Sequence, residues 1–114
     1  MKYKMYGIPN CDTVKKARVF LEKNHVVYEF VDFKKTQPTA EDLKRWEKSF
    51  GELPANKKGP TFRKIKEEYE AATPSEQIKL LITNSSAIKR PIVEKDGKPV
   101  SLGFDESTYK TLFS

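Results

Sequence analysis

The feature that most constrains the fold is the order of patterns in the opening third of the chain. Lys2 to Tyr6 alternates charged and apolar or aromatic residues and runs into Gly7 and Pro9, the signature of a short strand ending in a turn. Val14, Ala17 and Leu21 then recur at helical spacing with Phe20 beside them, while Lys15, Lys16, Glu22 and Lys23 take other faces and Asn24 supplies a stop. His25 to Phe33 is rich in β-branched and aromatic residues and reads as a second strand. A strand, a helix and a strand in this order predict a right-handed crossover between parallel strands. That geometry puts Asn10 or Cys11 at the start of the helix.

Thr39 and Asp42 resemble a helix cap with an acidic third position, and Leu43, Trp46 and Phe50 give the stripe of a second helix closed by Gly51. Pro60 suits the first turn of a short helix running toward Tyr69. Thr73-Pro74-Ser75-Glu76 is a capping box, with Ile78, Leu81 and Ile82 as the buried face behind it. Ile92 to Glu94 reads as a strand, Asp96-Gly97 as a hairpin turn, and Val100 to Leu102 as the returning strand. A last helix beginning near Asp105 presents Tyr109, Leu112 and Phe113 on one face. The expected class is α/β: a βαβ then ββα core around a mixed sheet, about 1–35 and 86–114, interrupted by an all-helical insertion of about 36–85. With a cysteine at the first strand-to-helix turn, this is the layout of a thioredoxin-like domain.

Composition narrows the chemistry. The 114 residues suit one domain, and the single cysteine permits neither an internal disulfide nor a multi-cysteine metal site. One histidine cannot complete a histidine-based metal cluster, and His25, far along the helix from Cys11, reads as a helix-exit residue. No apolar run approaches the roughly 18 residues of a membrane span, and the opening MKYKMYG lacks the apolar stretch of a secretory signal, so the cytoplasm is the expected compartment. A net charge of +6 suits a nucleic acid, an anionic small molecule or a solvated lysine-rich surface alike.

At a helix start, unpaired N–H groups and the positive end of the helix dipole favour thiolate over thiol. The competing role for a lone cysteine is that of a small buried hydrophobe. Cys11 stands between Asn10 and Asp12 in a Gly/Pro turn, and apolar periodicity begins only at Val14, which points to a reactive thiol. Asn10 is expected to cap the helix with its side chain and orient the turn.

The segments GIPNCDTVKKAR, GPTFRK, IKRPIV and LGFDES, in this order and spacing, resemble the family of arsenate reductases and Spx regulators, and most of all its YffB-type branch. The resemblance covers essentially the whole chain and implies a thioredoxin-like core with a helical insertion. It implies that Cys11 is the nucleophile, that Arg63 and Arg90 bind an anion, and that Pro91 matches the family's cis-proline. The family's third arginine falls at Phe104, which removes a planar fork of donors from an oxyanion pocket. Asp12-Thr13-Val14 stands where a CxxC motif places its second thiol, which excludes the dithiol switch of Spx regulators. The implied activity is that of a monothiol reductase. Its expected co-substrate is glutathione, with glutaredoxin as a further partner and no bound cofactor, metal, membrane or nucleic acid; the chain is expected to be a monomer. The rival readings are a regulatory protein that binds partners through its basic surface, and a weak arsenate reductase.

Overall fold

The structure is a computed structural model that describes residues 2–113. In chain order the elements are β1 (Tyr3–Gly7), α1 (Asp12–Lys23), β2 (Tyr28–Asp32), α2 (Ala40–Phe50), α3 (Pro60–Ala71), α4 (Pro74–Thr83), a 3-10 turn (Ser85–Ala87), β3 (Ile92–Lys95), β4 (Lys98–Leu102) and α5 (Glu106–Phe113). Two compact units divide these elements: 1–33 with 90–114, and 34–89.

The first unit is a four-stranded mixed sheet of order β2-β1-β3-β4 with α1 and α5. β1 and β2 are parallel, as the crossover requires, and β1–β3 and β3–β4 are antiparallel. Alternation along β1 sends Met5 to the face covered by the helices, where Val14, Ala17 and Leu21 of α1, Val93 of β3, and Tyr109 and Phe113 of α5 bury themselves together. Tyr6 takes the opposite face, where its ring lies 6.3 Å from that of Phe33. The chain thus forms a thioredoxin-like α/β core around a mixed sheet, as expected.

Some strand bounds and one core residue differ from expectation, β4 for example starting at Lys98 and not at Val100. The second strand starts at Tyr28, three residues later than His25, because α1 runs on to Lys23, Asn24 caps it, and His25 turns the chain with φ of 57°. Val26 N–H then donates to the Leu21 carbonyl, so the segment remains part of the helix exit. Leu112 is 39% exposed and lies off the buried face that Tyr109 and Phe113 form. The hairpin turn has both central residues in the left-handed region, Asp96 at φ 51° and Gly97 at φ 82°, the conformation that a two-residue connection between twisted strands demands.

The second unit is helical. Thr39 and Thr73 each accept a hydrogen bond from the backbone of the third helical residue, while Asp42 and Glu76 accept from the Thr39 and Thr73 backbone N–H groups in return. Leu43 and Trp46 of α2, Phe62, Ile65 and Tyr69 of α3, and Ile78 and Leu81 of α4 are buried, whereas Phe50 and Ile82 are only half-buried. An antiparallel bridge between Ala55 and Ile88 ties the loop before α3 to the segment after α4. Gly59 N–H donates to Asn56 O, and a Cβ at Gly59 would lie 2.7 Å from Asn56 Nδ2 and 3.3 Å from Asn56 O. That close turn accounts for glycine before Pro60, which opens α3 at a position whose missing N–H costs nothing.

Candidate functional site

Cys11 is the N-cap residue of α1. Its backbone is extended, with φ −130° and ψ 125°, and its carbonyl accepts the first helical hydrogen bond from Lys15 N–H at 2.9 Å. No side chain caps this helix start, so N–H groups of its first turn are left for another acceptor. Asn10 lies one residue outside, is exposed, and does not provide the expected cap. The cause is register: the turn makes the cysteine itself the boundary residue. Cys11 is half-buried and packs against the core cluster that includes Met5, Val14 and Tyr109. Asp12, exposed in the first turn, offsets part of the positive field of the helix end.

The strand pairing brings a second element to this end of the sheet. Tyr6 pairs with Ile92 in an antiparallel ladder, so where β1 runs out toward Cys11, β3 is entered from Arg90 and Pro91. The Arg90–Pro91 peptide is cis. Gly103 N–H donates to Pro91 O at 2.8 Å, which holds the turn after β4, with Phe104, at the same end. Arg90 is half-buried and its Nε is removed from solvent. Phe104 also fringes the core cluster, its ring 4.8 Å from Tyr109 and 6.3 Å from Phe20. Cys11, Arg90, Pro91 and Phe104 are therefore gathered by backbone topology at one end of the first unit. Arg63 belongs to the other unit, exposed on the first turn of α3, where its N–H donates to Gly59 O. Among the described residues it forms no ion pair with Glu67.

Arg18, a residue to which sequence reasoning gave no role, holds the helix that carries Cys11. Its Nε donates to the Tyr28 hydroxyl at 2.9 Å, and that hydroxyl donates to Glu22 Oε2 at 3.1 Å. Its guanidinium also stands 4.2 Å from the centre of the Phe30 ring. Burial pushes the Tyr28 phenol up from its ordinary value, and Arg18 draws it partly back. The signal was present only in the register, which places Tyr28 and Phe30 on one strand face two residues apart.

No group of three or more histidine, cysteine, aspartate or glutamate residues able to hold a metal ion occurs among the described residues, and no described helix is long and apolar enough to cross a membrane.

These features define a thioredoxin-like domain with one cysteine at a helix start opposite a cis-proline. Residues 6–112 match the ArsC family, and the chain belongs to that family. An uncharacterized protein of Haemophilus influenzae is 33% identical over 112 residues, 96% of this chain and 97% of the relative. The global transcriptional regulator Spx of Streptococcus mutans is 28% identical over 102 residues, 86% of this chain and 73% of its own length. Among solved structures, the YFFB (PA3664) protein has a TM-score of 0.88 at 37% identity, with 98% and 99% of the two chains covered. An arsenate reductase (ArsC) related protein from Brucella melitensis has a TM-score of 0.74 at 38% identity, with 99% and 95% covered.

Proposed function

We propose that this protein is a monothiol oxidoreductase that uses Cys11 as nucleophile and glutathione as co-substrate. The observation that carries the reading is Cys11 as the uncapped start of a twelve-residue helix, at the sheet end it shares with Arg90 and Pro91. The Cys11 thiolate attacks the glutathione sulfur of a mixed disulfide, the substrate thiolate leaves, and Cys11 is joined to glutathione. A second glutathione thiolate then attacks that sulfur, oxidised glutathione departs, and Cys11 regains its thiolate. Across both steps, the mixed disulfide and one external glutathione thiolate become the substrate thiolate and oxidised glutathione: the substrate sulfur leaves with the electron pair of the broken bond, and the external glutathione sulfur is oxidised in the new disulfide. The chain's one cysteine makes the external thiol obligatory. Arg90, in the same unit as Cys11, is the group we assign to a glutathione carboxylate, or to an oxyanion, by charge-assisted hydrogen bonds. Family membership and the ArsC-related structural neighbour support an oxidoreductase role.

A regulatory reading is favoured by the likeness to Spx of Streptococcus mutans. Exposure to oxidised glutathione followed by mass spectrometry separates the two. The thiol reductase forms one adduct, on Cys11, released by reduced glutathione, and Cys11→Ser forms none. A protein whose thiol resists modification while a small-molecule thiol reacts is not this enzyme.

A further inference from the structure

The outer face of α1 carries a feature that thiol chemistry leaves unused. Lys16, Val19, Phe20 and Lys23 recur at the spacing i, i+3, i+4, i+7, so two lysines flank an apolar centre along one stripe. Phe104 and Glu106 close the other side of a shallow groove of about 680 Å³. Val19 is 53% exposed in its middle and lines the groove together with half-buried Phe20 and Phe104, so the apolar surface there is continuous. Lys15 adds a third ammonium at the rim. Glu106, which also pairs with Lys110 of its own helix at 3.7 Å, sets one carboxylate against three lysines among the residues that line the groove. Lys15, Lys16 and Lys23 make no ion pair among the described residues.

We infer that this groove docks an acidic polypeptide segment with an apolar centre. Lys16 and Lys23 are two helical turns apart, about 10 Å along the axis. A partner helix that meets them with carboxylates at i and i+7 brings residues i+3 and i+4 onto Val19, Phe20 and Phe104. The apolar floor supplies desolvated contact and the lysines select sign and register. A nucleic acid offers the charge without an apolar strip to cover Val19, and a second copy of this chain, at +6, brings like charge to the groove. The inference stands independently of the reaction at Cys11.

The test uses a fluorescein-labelled synthetic helical peptide with Glu at i and i+7 and Leu and Phe at i+3 and i+4. Controls are a scrambled peptide of the same composition and a labelled DNA duplex, with anisotropy read against protein concentration. The designed peptide is expected to bind the full chain and Cys11→Ser equally. Lys16→Glu with Lys23→Glu, and separately Val19→Asp, should each weaken it roughly tenfold or more, with circular dichroism confirming the fold. Reversing the two peptide carboxylates to lysine should restore binding to the charge-reversed protein. Equal binding of designed and scrambled peptides overturns the inference, as does indifference to Val19→Asp, or preferential DNA binding lost on the same lysine reversals.

Discussion

A Cβ built on Gly7 would stand 3.0 Å from Cγ2 of Val14, so the last residue of β1 and the first buried residue of α1 lie too close to admit a methyl group unless one of them yields by a few tenths of an ångström. Val14 is fully buried, and its χ1 is stiff in a helix, so it has little freedom to retreat. Gly7→Ala is therefore expected to lower stability by about 1–2 kcal/mol, read from urea unfolding. The strain falls on the turn between Gly7 and Asp12, and Cys11 should form its glutathione adduct more slowly than in wild type. A variant as stable and as reactive as wild type would show that α1 shifts freely on the sheet.

Tyr109 is fully buried at the centre of an aromatic cluster, with ring centres 4.8 Å from Phe104, 5.0 Å from Phe113 and 5.6 Å from Phe20. Its hydroxyl and that of Ser101 are neighbours but do not form a well-made hydrogen bond. Tyr109→Phe should therefore stay within about 0.5 kcal/mol of wild type or gain slightly, while Tyr109→Ala loses about 3–5 kcal/mol through lost burial and a cavity. Burial pushes the phenol up to about 12, and the Ser101 hydroxyl only partly opposes it. The unfolded chain releases this proton near 10, whereas the folded chain keeps it, so the contribution to stability is whole below pH 10 and falls as pH rises toward 12. The fall should reach about 1.4 kcal/mol per pH unit from this group and be absent in Tyr109→Phe, as measured by chemical unfolding at alkaline pH.

Asp105 predicts the opposite pH dependence at the start of α5. Its Oδ2 accepts from Thr108 N at 3.0 Å and from Thr108 Oγ1 at 2.7 Å, and these bonds hold its carboxyl below the ordinary value of 3.8. A group depressed in the folded state stabilises it above the unfolded value and loses that effect as pH falls through the folded one. The stability gap between wild type and Asp105→Asn should thus be constant above about pH 5 and shrink below pH 4. A gap that persists at pH 2 would mean the carboxylate charge is not what the cap uses.

These cases show what was legible in the sequence. Asp105, Thr39 and Thr73 were readable as helix starts because a cap is made by residues three apart, and distance in the chain is then distance in space. Asp96-Gly97 was readable for the same reason. The Gly7–Val14 contact and the grip of Arg18 on Tyr28 and Phe30 depend on how strands pair and where a helix lies on them, which no local pattern encodes. The irregularity between Val93 and Glu94 against β4 is of this kind too. For the candidate site, position along the chain gave Cys11 and the motif match gave Arg90 and Pro91. Asn10 was misread because a cysteine at the boundary and an asparagine one residue earlier produce the same polar signature.

Phe104 stands where the family resemblance expects an arginine. The structure keeps it at the sheet end that holds Cys11 and Arg90, through the Gly103 N–H bond to Pro91 O. Its ring is also part of the core fringe, in edge contact with Tyr109, so replacing it removes about 0.5–1.5 kcal/mol of aromatic contact. Arginine nevertheless supplies a planar fork of donors matched to a tetrahedral oxyanion, whereas lysine offers a point charge. Phe104→Arg is expected to bind arsenate more tightly by on the order of 1–3 kcal/mol and to raise glutathione-dependent arsenate reduction, while melting at a lower temperature. Arg90→Lys should weaken both binding and turnover by a similar amount. Calorimetric arsenate titration beside single-turnover kinetics on the three proteins decides the matter. Efficient arsenate reduction by wild type with no gain in Phe104→Arg would show that the absent guanidinium does not separate this chain from the arsenate reductases it resembles.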